Sequence, residues 1–495
     1  MNKLLSISFL CLTLLFCSSE SHAQIAWSNG HQLFSTIMPL MDGMYDPFTH
    51  LVRVPNPGFG TASPLSRETA YYAFALLLRD QPGDRNKAEA CLNEVLSLQY
   101  TDPSKWYYGT FKVVATEPTP GPGSGPKQGY EPLWRQFIGV TFEMILLDFS
   151  DRISSSTRDH LRHSIDIAVA GAQKDGDLDP DSTNPALMFA ALFDFDADQR
   201  HDAADETKAS AWISKVYAGY KKHGAFWEFN SPTYYGVDLI AITLLREHGS
   251  SPQIRSMGAD LESHLWSQIA NSYSPEMRNT AGPYDRSYFM DMTNYVALEG
   301  LWLSAVVPAG QAPLPAINLN TPKLLDALAI PLLITLKPQV PAQALAVLQH
   351  PVQPHMVTQQ VDDARLATSW VGRDVLFGGE TVHRTPNMES RPQYHPLTIH
   401  WKTPTGTVGW MYVLRGVVDS ATASPTGITA QMQGGITFVI SAPGLSASDF
   451  SGQHWKLPGL NLDIATDGTL AGAYSVGANY QVTYNDVHRF TMTKR

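Results

Sequence analysis

The sequence predicts a toroid of α-helical hairpins followed by an antiparallel β-sandwich, an α+β chain of two main domains. Three observations carry this. Between about 30 and 306, helices of two kinds alternate. After about 355 the apolar period shortens to that of strands. Between them, Val307 to Pro315 (VPAGQAPLP) breaks the helical pattern. The expected order is a leader at 1–23, a helical domain at 24–306, a linker or transition at 307–354 and a β-domain at 355–495.

The leader comes first. Lys3 supplies a positive start, Leu4 to Phe16 is an apolar run too short to span a bilayer, and Ser21-His22-Ala23 is a small-x-small cleavage site. The mature chain is then expected to start at Gln24 and to work in the periplasm or outside the cell. Later stretches carry no apolar run of membrane-spanning length. Cys11 and Cys17 leave with the leader, so Cys91 has no disulfide partner. It sits in a helical pattern with Ala88, Leu92 and Val95 and reads as core.

In the helical region, some segments carry one apolar stripe. Ile254, Met257, Leu261 and Leu265 form one; Trp212, Val216, Tyr217 and Tyr220 form another. Others are apolar nearly all round: 133–149, 237–245 and 295–306. Half-wet helices alternating with enclosed ones are what a two-layer ring produces, the outer helices shielding the inner. Polar residues at inner-helix ends then face the mouth of the ring. The stretch 116–130 (TEPTPGPGSGPKQGY) is too rich in Pro and Gly for helix or strand and reads as a long loop. In the β-domain, short runs at 366–371, 375–377, 397–401, 408–414, 436–440 and 480–484 are punctuated by Gly, Pro, Asn and Asp.

A net charge of -11 argues against nucleic acid as a partner, and it does not favour a polyanion. An acidic ligand needs a local basic cleft. The 11 Trp and 20 Tyr suit stacking on sugar rings as well as ordinary core. P-loop, dinucleotide and HExxH signatures do not occur, and neither a cofactor nor a metal is expected. Asp175-Gly-Asp177-Leu-Asp179 resembles the start of a calcium loop. Pro180 stands where the turn glycine belongs, and Ala186 where the bidentate Glu belongs.

Three polar clusters lead into apolar helices. The first holds Glu228, Asn230, Tyr234 and Asp238, with Ser231-Pro232 as a helix start. The second holds Tyr284, Asp285, Arg286, Tyr288 and Asp291. An arginine beside a phenol favours phenolate, which a tyrosine base requires. The third is Asp181-Ser-Thr-Asn184, where Asn184 either caps the helix or bonds a ligand. Trp134 and Arg135 open another enclosed helix. His383, Arg384, Arg391, Tyr394, His395 and His400 crowd one stretch of the β-domain.

Together these pieces resemble the heparinase II/III-like and alginate-lyase-like polysaccharide lyases, which join an α/α toroid to antiparallel β-sheet. In motif the resemblance rests on Asn230 with Tyr234, and on Tyr284-Asp-Arg286-Ser-Tyr288. It implies β-elimination on an acidic polysaccharide or oligosaccharide. A base removes the proton beside a uronate carboxylate, hydrogen bonds hold the developing charge, and the same tyrosine returns a proton to the leaving oxygen. Carried over, Asn230 neutralises the carboxylate with Arg286, Tyr288 or Tyr284 is base and acid, and His395 or His383 assists. Asn184, Trp134, Arg135, Tyr234, Glu228 and Asp285 line the substrate.

Two other readings compete. A glycoside hydrolase on the same ring would use Glu228 and Asp285, their separation indicating a retaining or inverting pair. A non-catalytic glycan-binding protein would use the aromatics alone.

Overall fold

The computed structural model describes residues 24–54, 63–126, 129–175, 178–382 and 393–495. The leader, His383, Arg384 and Arg391 lie outside them. The helical half runs α1 (Gly30–Met44), α2 (Ser66–Arg79), α3 (Asp84–Ser97), α4 (Trp134–Phe149), α5 (Ser155–Asp175), α6 (Thr183–Arg200), α7 (Ala203–His223), α8 (Tyr235–His248), α9 (Pro252–Ser272) and α10 (Leu298–Val306). Short strands β1 (Tyr45–Asp46), β2 (Leu51–Val54) and β3 (Ser63–Leu65) form a small sheet before α2; β4 (Tyr273–Ser274) pairs with β5 (Asn279–Thr280) after α9.

The even-numbered helices α2, α4, α6, α8 and α10 contact one another in series, and α3, α5, α7 and α9 pack outside them. This is the α/α toroid. Burial follows the two helix kinds. Residues 235–246 of α8 are all buried, whereas α7 buries only Ala209, Ile213, Val216 and Tyr220. Two outer helices start on side-chain caps: for α7, Asp202 accepts from Ala204 and Asp205 backbone N–H, and for α9, Ser251 accepts from Ile254 with Pro252 in the first turn. Cys91 is buried, and burial pushes its thiol up to about 12.

The stretch 307–354 is more than the expected linker. It holds α11 (Leu324–Ala327), α12 (Ile330–Leu333) and α13 (Ala342–Gln349), and α12 packs on α1 and α2, bringing the end of the helical run back to its start. Leu324, Ile330, Leu333 and Leu348 belong to the same apolar core as the ring. Two of these helices are only four residues long, too short to show a helical period in sequence.

The C-terminal half is antiparallel. It comprises β6 (His355–Gln360), β7 (Arg365–Val371), β8 (Val375–Val382), β9 (Leu397–Lys402), β10 (Val408–Ser424), β11 (Gly427–Ser441), β12 (His454–Leu457), β13 (Leu460–Thr466), β14 (Thr469–Val476) and β15 (Asn479–Lys494). The strand order is β12-β13-β15-β11-β10-β9-β8-β7-β6, with β14 on β15. Register shifts interrupt β10 between Val413 and Val417 and β11 between Gln431 and Ile436, and such bulges bend strands. The sheet folds over its own core. Trp401 on β9 donates to Pro458 O at 2.8 Å, in the turn of the β12–β13 hairpin four to five strand positions away, and Phe377, Trp401, Phe438, Trp455 and Phe490 share one cluster. The arrangement is a β-sandwich.

No helix among the described residues is long and apolar enough to cross a membrane.

Candidate active site

The site is built on the seam between the halves. Residues 281–288, the loop before α10, are held from both sides. On the helical side, Asn230 donates its two amide protons to Ala281 O (2.7 Å) and Pro283 O (2.8 Å), and Ser231 Oγ donates to Arg286 O at 2.6 Å. On the sheet side, Ser369 Oγ donates to Gly282 O at 2.7 Å. Ser287 N donates to Gln393 O at 2.9 Å, just beyond a two-way backbone exchange between Tyr284 and His395. The backbones also approach closely. A Cβ on Gly378 would lie 2.2 Å from the carbonyl carbon of Gly282, so only glycine fits there.

Arg286 leaves this loop and uses each of its three side-chain nitrogens. It donates to Glu228 Oε1 at 2.6 Å, Tyr234 Oη at 2.8 Å and Gln393 Oε1 at 2.7 Å, and its guanidinium lies 4.6 Å from the Tyr234 ring centroid. The Tyr234 hydroxyl is 3.1 Å from that of Tyr288. Arginine has only donors, so Tyr234 accepts from it and has its own proton to give to Tyr288. Glu228 is buried and takes a second bond, 2.9 Å, from Asn184 Nδ2. Asn184 is therefore no cap; Ser182 holds the cap position of α6. Because Arg286 fixes which end of Gln393 faces it, the Gln393 amide NH2 is left as a donor.

All of these groups except Glu228 border a cavity of about 980 Å³. Of the residues singled out in sequence, Asn184, Trp134, Tyr234, Arg286 and Tyr288 line it. Tyr288 is 38% exposed, and the Lys323 ammonium sits 3.2 Å from its ring centroid. Arg67, Lys323 and Gln393 also line the cavity and were not anticipated.

Several expectations are corrected. Tyr284 is buried, donates to Thr280 O, and is pushed well above the usual phenol range by burial; it does not reach the cavity. Asn230 is buried with φ 50°, a left-handed conformation asparagine tolerates, and both amide protons are spent on backbone. It does not face a substrate carboxylate. Arg135 is buried, ion-paired with Asp175 and bonded to Tyr108 O. That pair also takes the first carboxylate of the calcium-like stretch. His395 is buried, donates through Nε2 to Ser287 O at 3.1 Å, and burial pushes it down to about 4. It is a neutral seam residue. His383 lies outside the described residues.

The hydrolase pair fails on geometry. Asp285 is fully buried, accepts from Phe229 N at 3.0 Å and from Arg365 at 2.5 Å, and burial raises it to about 6 despite the arginine. Glu228 stands behind Arg286 and Asn184. Neither carboxylate lines the cavity. The phenol that Arg286 touches is Tyr234, and there burial outweighs the cation and raises it, so Tyr234 stays a protonated donor.

Among solved structures the chain is similar to a chondroitin AC lyase variant from Streptomyces coelicolor A3 (12% identity over 94% of this chain and 79% of that one, TM-score 0.42). It is similar to a xanthan lyase from Paenibacillus (11% identity, 96% and 58%, TM-score 0.42). Heparinase III gives 8% identity, 95% and 93%, and TM-score 0.40. No curated protein matches in sequence. One family model matches residues 31–338, most of the chain. The chain belongs to that family, described as a domain of unknown function, DUF8769.

Proposed function

We propose that the cavity is the active site of a polysaccharide lyase that cuts a uronic-acid-containing glycan by β-elimination. The observation that carries this reading is the chain of contacts from Arg286 through Tyr234 to Tyr288, whose last hydroxyl borders the cavity.

In the proposed reaction, Tyr288 Oη takes the C5 proton of the reacting uronate. The C5–H pair forms the C4–C5 double bond, O4 leaves, and Tyr288 returns the proton to it. The Tyr234 hydroxyl and the Lys323 ammonium meet the negative charge that the Tyr288 oxygen carries before it accepts the proton. The Gln393 amide and Lys323 supply donors for the carboxylate, the task first given to Asn230. Glu228 and Asn184 act behind, holding Arg286 in place.

Mature protein incubated with a panel of uronic-acid glycans is expected to raise ultraviolet absorbance through the unsaturated product. New reducing ends without absorbance would point to a hydrolase, and saturable binding with neither signal to a glycan-binding protein. In this proposal the enzyme is exported. N-terminal sequencing of secreted protein, expected to begin at Gln24, tests that part.

A further inference from the structure

The cavity is balanced in charge, and that bears on what occupies it. Its wall carries three cations, Arg67, Arg286 and Lys323, and three acids, Glu68, Glu131 and Asp326. Arg67 donates to Glu68 Oε1 at 2.9 and 2.5 Å, and Arg286 is tied to Glu228 behind the wall. A homopolymer of uronic acid brings one carboxylate per sugar. Each of those would be desolvated beside acids with no surplus cation to meet it. The chain's charge of -11 adds a field of the same unfavourable sign. Only the Tyr288 end has donors in surplus, from Lys323 and Gln393.

The Arg67 end has another character. The guanidinium lies 4.8 Å from the Trp134 ring centroid and 5.4 Å from that of Phe137. Val54, Leu65 and Val113 border the same space. An apolar group on a ligand would cover this aliphatic and aromatic wall.

We propose that the cavity takes a sparsely charged glycan. One uronic acid sits at Tyr288, and a neutral sugar with an apolar substituent, a deoxy methyl or an acyl ester, sits against Trp134 and Val113. The inference rests on the lyase reading for which end reacts, but its test is a binding test.

Calorimetry on the Tyr288→Phe variant compares two probes, a tetrasaccharide of one glucuronic acid, two glucoses and one rhamnose, and tetragalacturonate. The mixed probe is expected to bind about tenfold tighter or more. Its affinity should change by less than about threefold between low and high salt, since few unbalanced charges are screened. Val113→Ala trims the apolar wall. It should weaken the mixed probe by about three- to tenfold and leave tetragalacturonate unchanged. Equal or tighter binding of tetragalacturonate, or no binding of the mixed probe, overturns the proposal. Wild-type protein that binds the mixed probe yet yields no unsaturated product overturns the lyase reading alone.

Discussion

Tyr284 and His395 exchange both of their backbone hydrogen bonds, 3.1 Å in one direction and 2.8 Å in the other. Each belongs to a different half of the chain. Two residues beyond Tyr284 stands Arg286, and two before His395 stands Gln393; their side chains meet at 2.7 Å. The exchange sets the register of the cavity wall, and the predictions below probe what it holds.

The two candidate tyrosines separate cleanly. Tyr288→Phe is expected to cut kcat by about a thousandfold or more with little change in stability, because it removes the proposed proton carrier from a partly exposed ring. Tyr284→Phe is expected to keep activity within a few-fold but lose roughly 1–2 kcal/mol of stability, since Thr280 O then loses its donor. Initial rates and denaturant unfolding check both.

Arg286→Ala leaves the buried Glu228 carboxylate without its cation and frees Tyr234 and Gln393. Breaking such a pair costs about 3–5 kcal/mol. Arg286→Lys restores charge but not three simultaneous bonds, so it should recover stability better than rate. Thermal melting beside kcat for the two variants tests this.

His400 provides a pH signature. Burial pushes it down to about 4, and its Nε2–H donates to Met290 O at 3.0 Å. An unfolded histidine takes a proton below about 6.5. The folded pKa is the lower one, so the contribution is full above about 6.5 and is lost as pH falls toward 4. Between those limits the stability difference, wild type minus His400→Gln, should shrink by about 1 kcal/mol per pH unit. A flat difference across denaturation curves from pH 7 to 4.5 would contradict the buried neutral ring.

Gly378→Ala pushes a methyl into the Gly282 carbonyl. Destabilisation of more than about 2 kcal/mol is expected, with a drop in kcat as the 282–288 loop shifts. Gly43→Ala in α1, with open space around it, should instead gain up to about 1 kcal/mol. Calorimetric melting of both variants gives the contrast.

Much of this was legible in sequence, for identifiable reasons. The ring was readable because α7 and α9 carry one stripe while α4 and α8 are apolar throughout. Four-residue α11 and α12 were not, because so short a helix leaves no period. The β-domain was visible where runs were apolar, but Gly416 and the Gly434-Gly435 pair cut β10 and β11 into apparent fragments. At the site, Tyr234, Arg286 and Tyr288 stood out as polar groups at the mouth of enclosed helices. Asn230 carried the same pattern and serves the backbone instead. An asparagine ahead of a helix is also the residue that tolerates a left-handed turn. Gln393 lay inside a stretch already marked by Arg391, Tyr394 and His395, yet a lone amide carries no pattern. Lys323 and Arg67 reach the cavity only because α12 folds back onto α2, a closure that no local spacing encodes.

The family model stops at residue 338, while the cavity wall continues to Gln393. A chain cut after the helical ring would keep Tyr288 and lose the strand edge that orients its neighbours. On the lyase reading proposed above, replacing the sheet would replace part of the site.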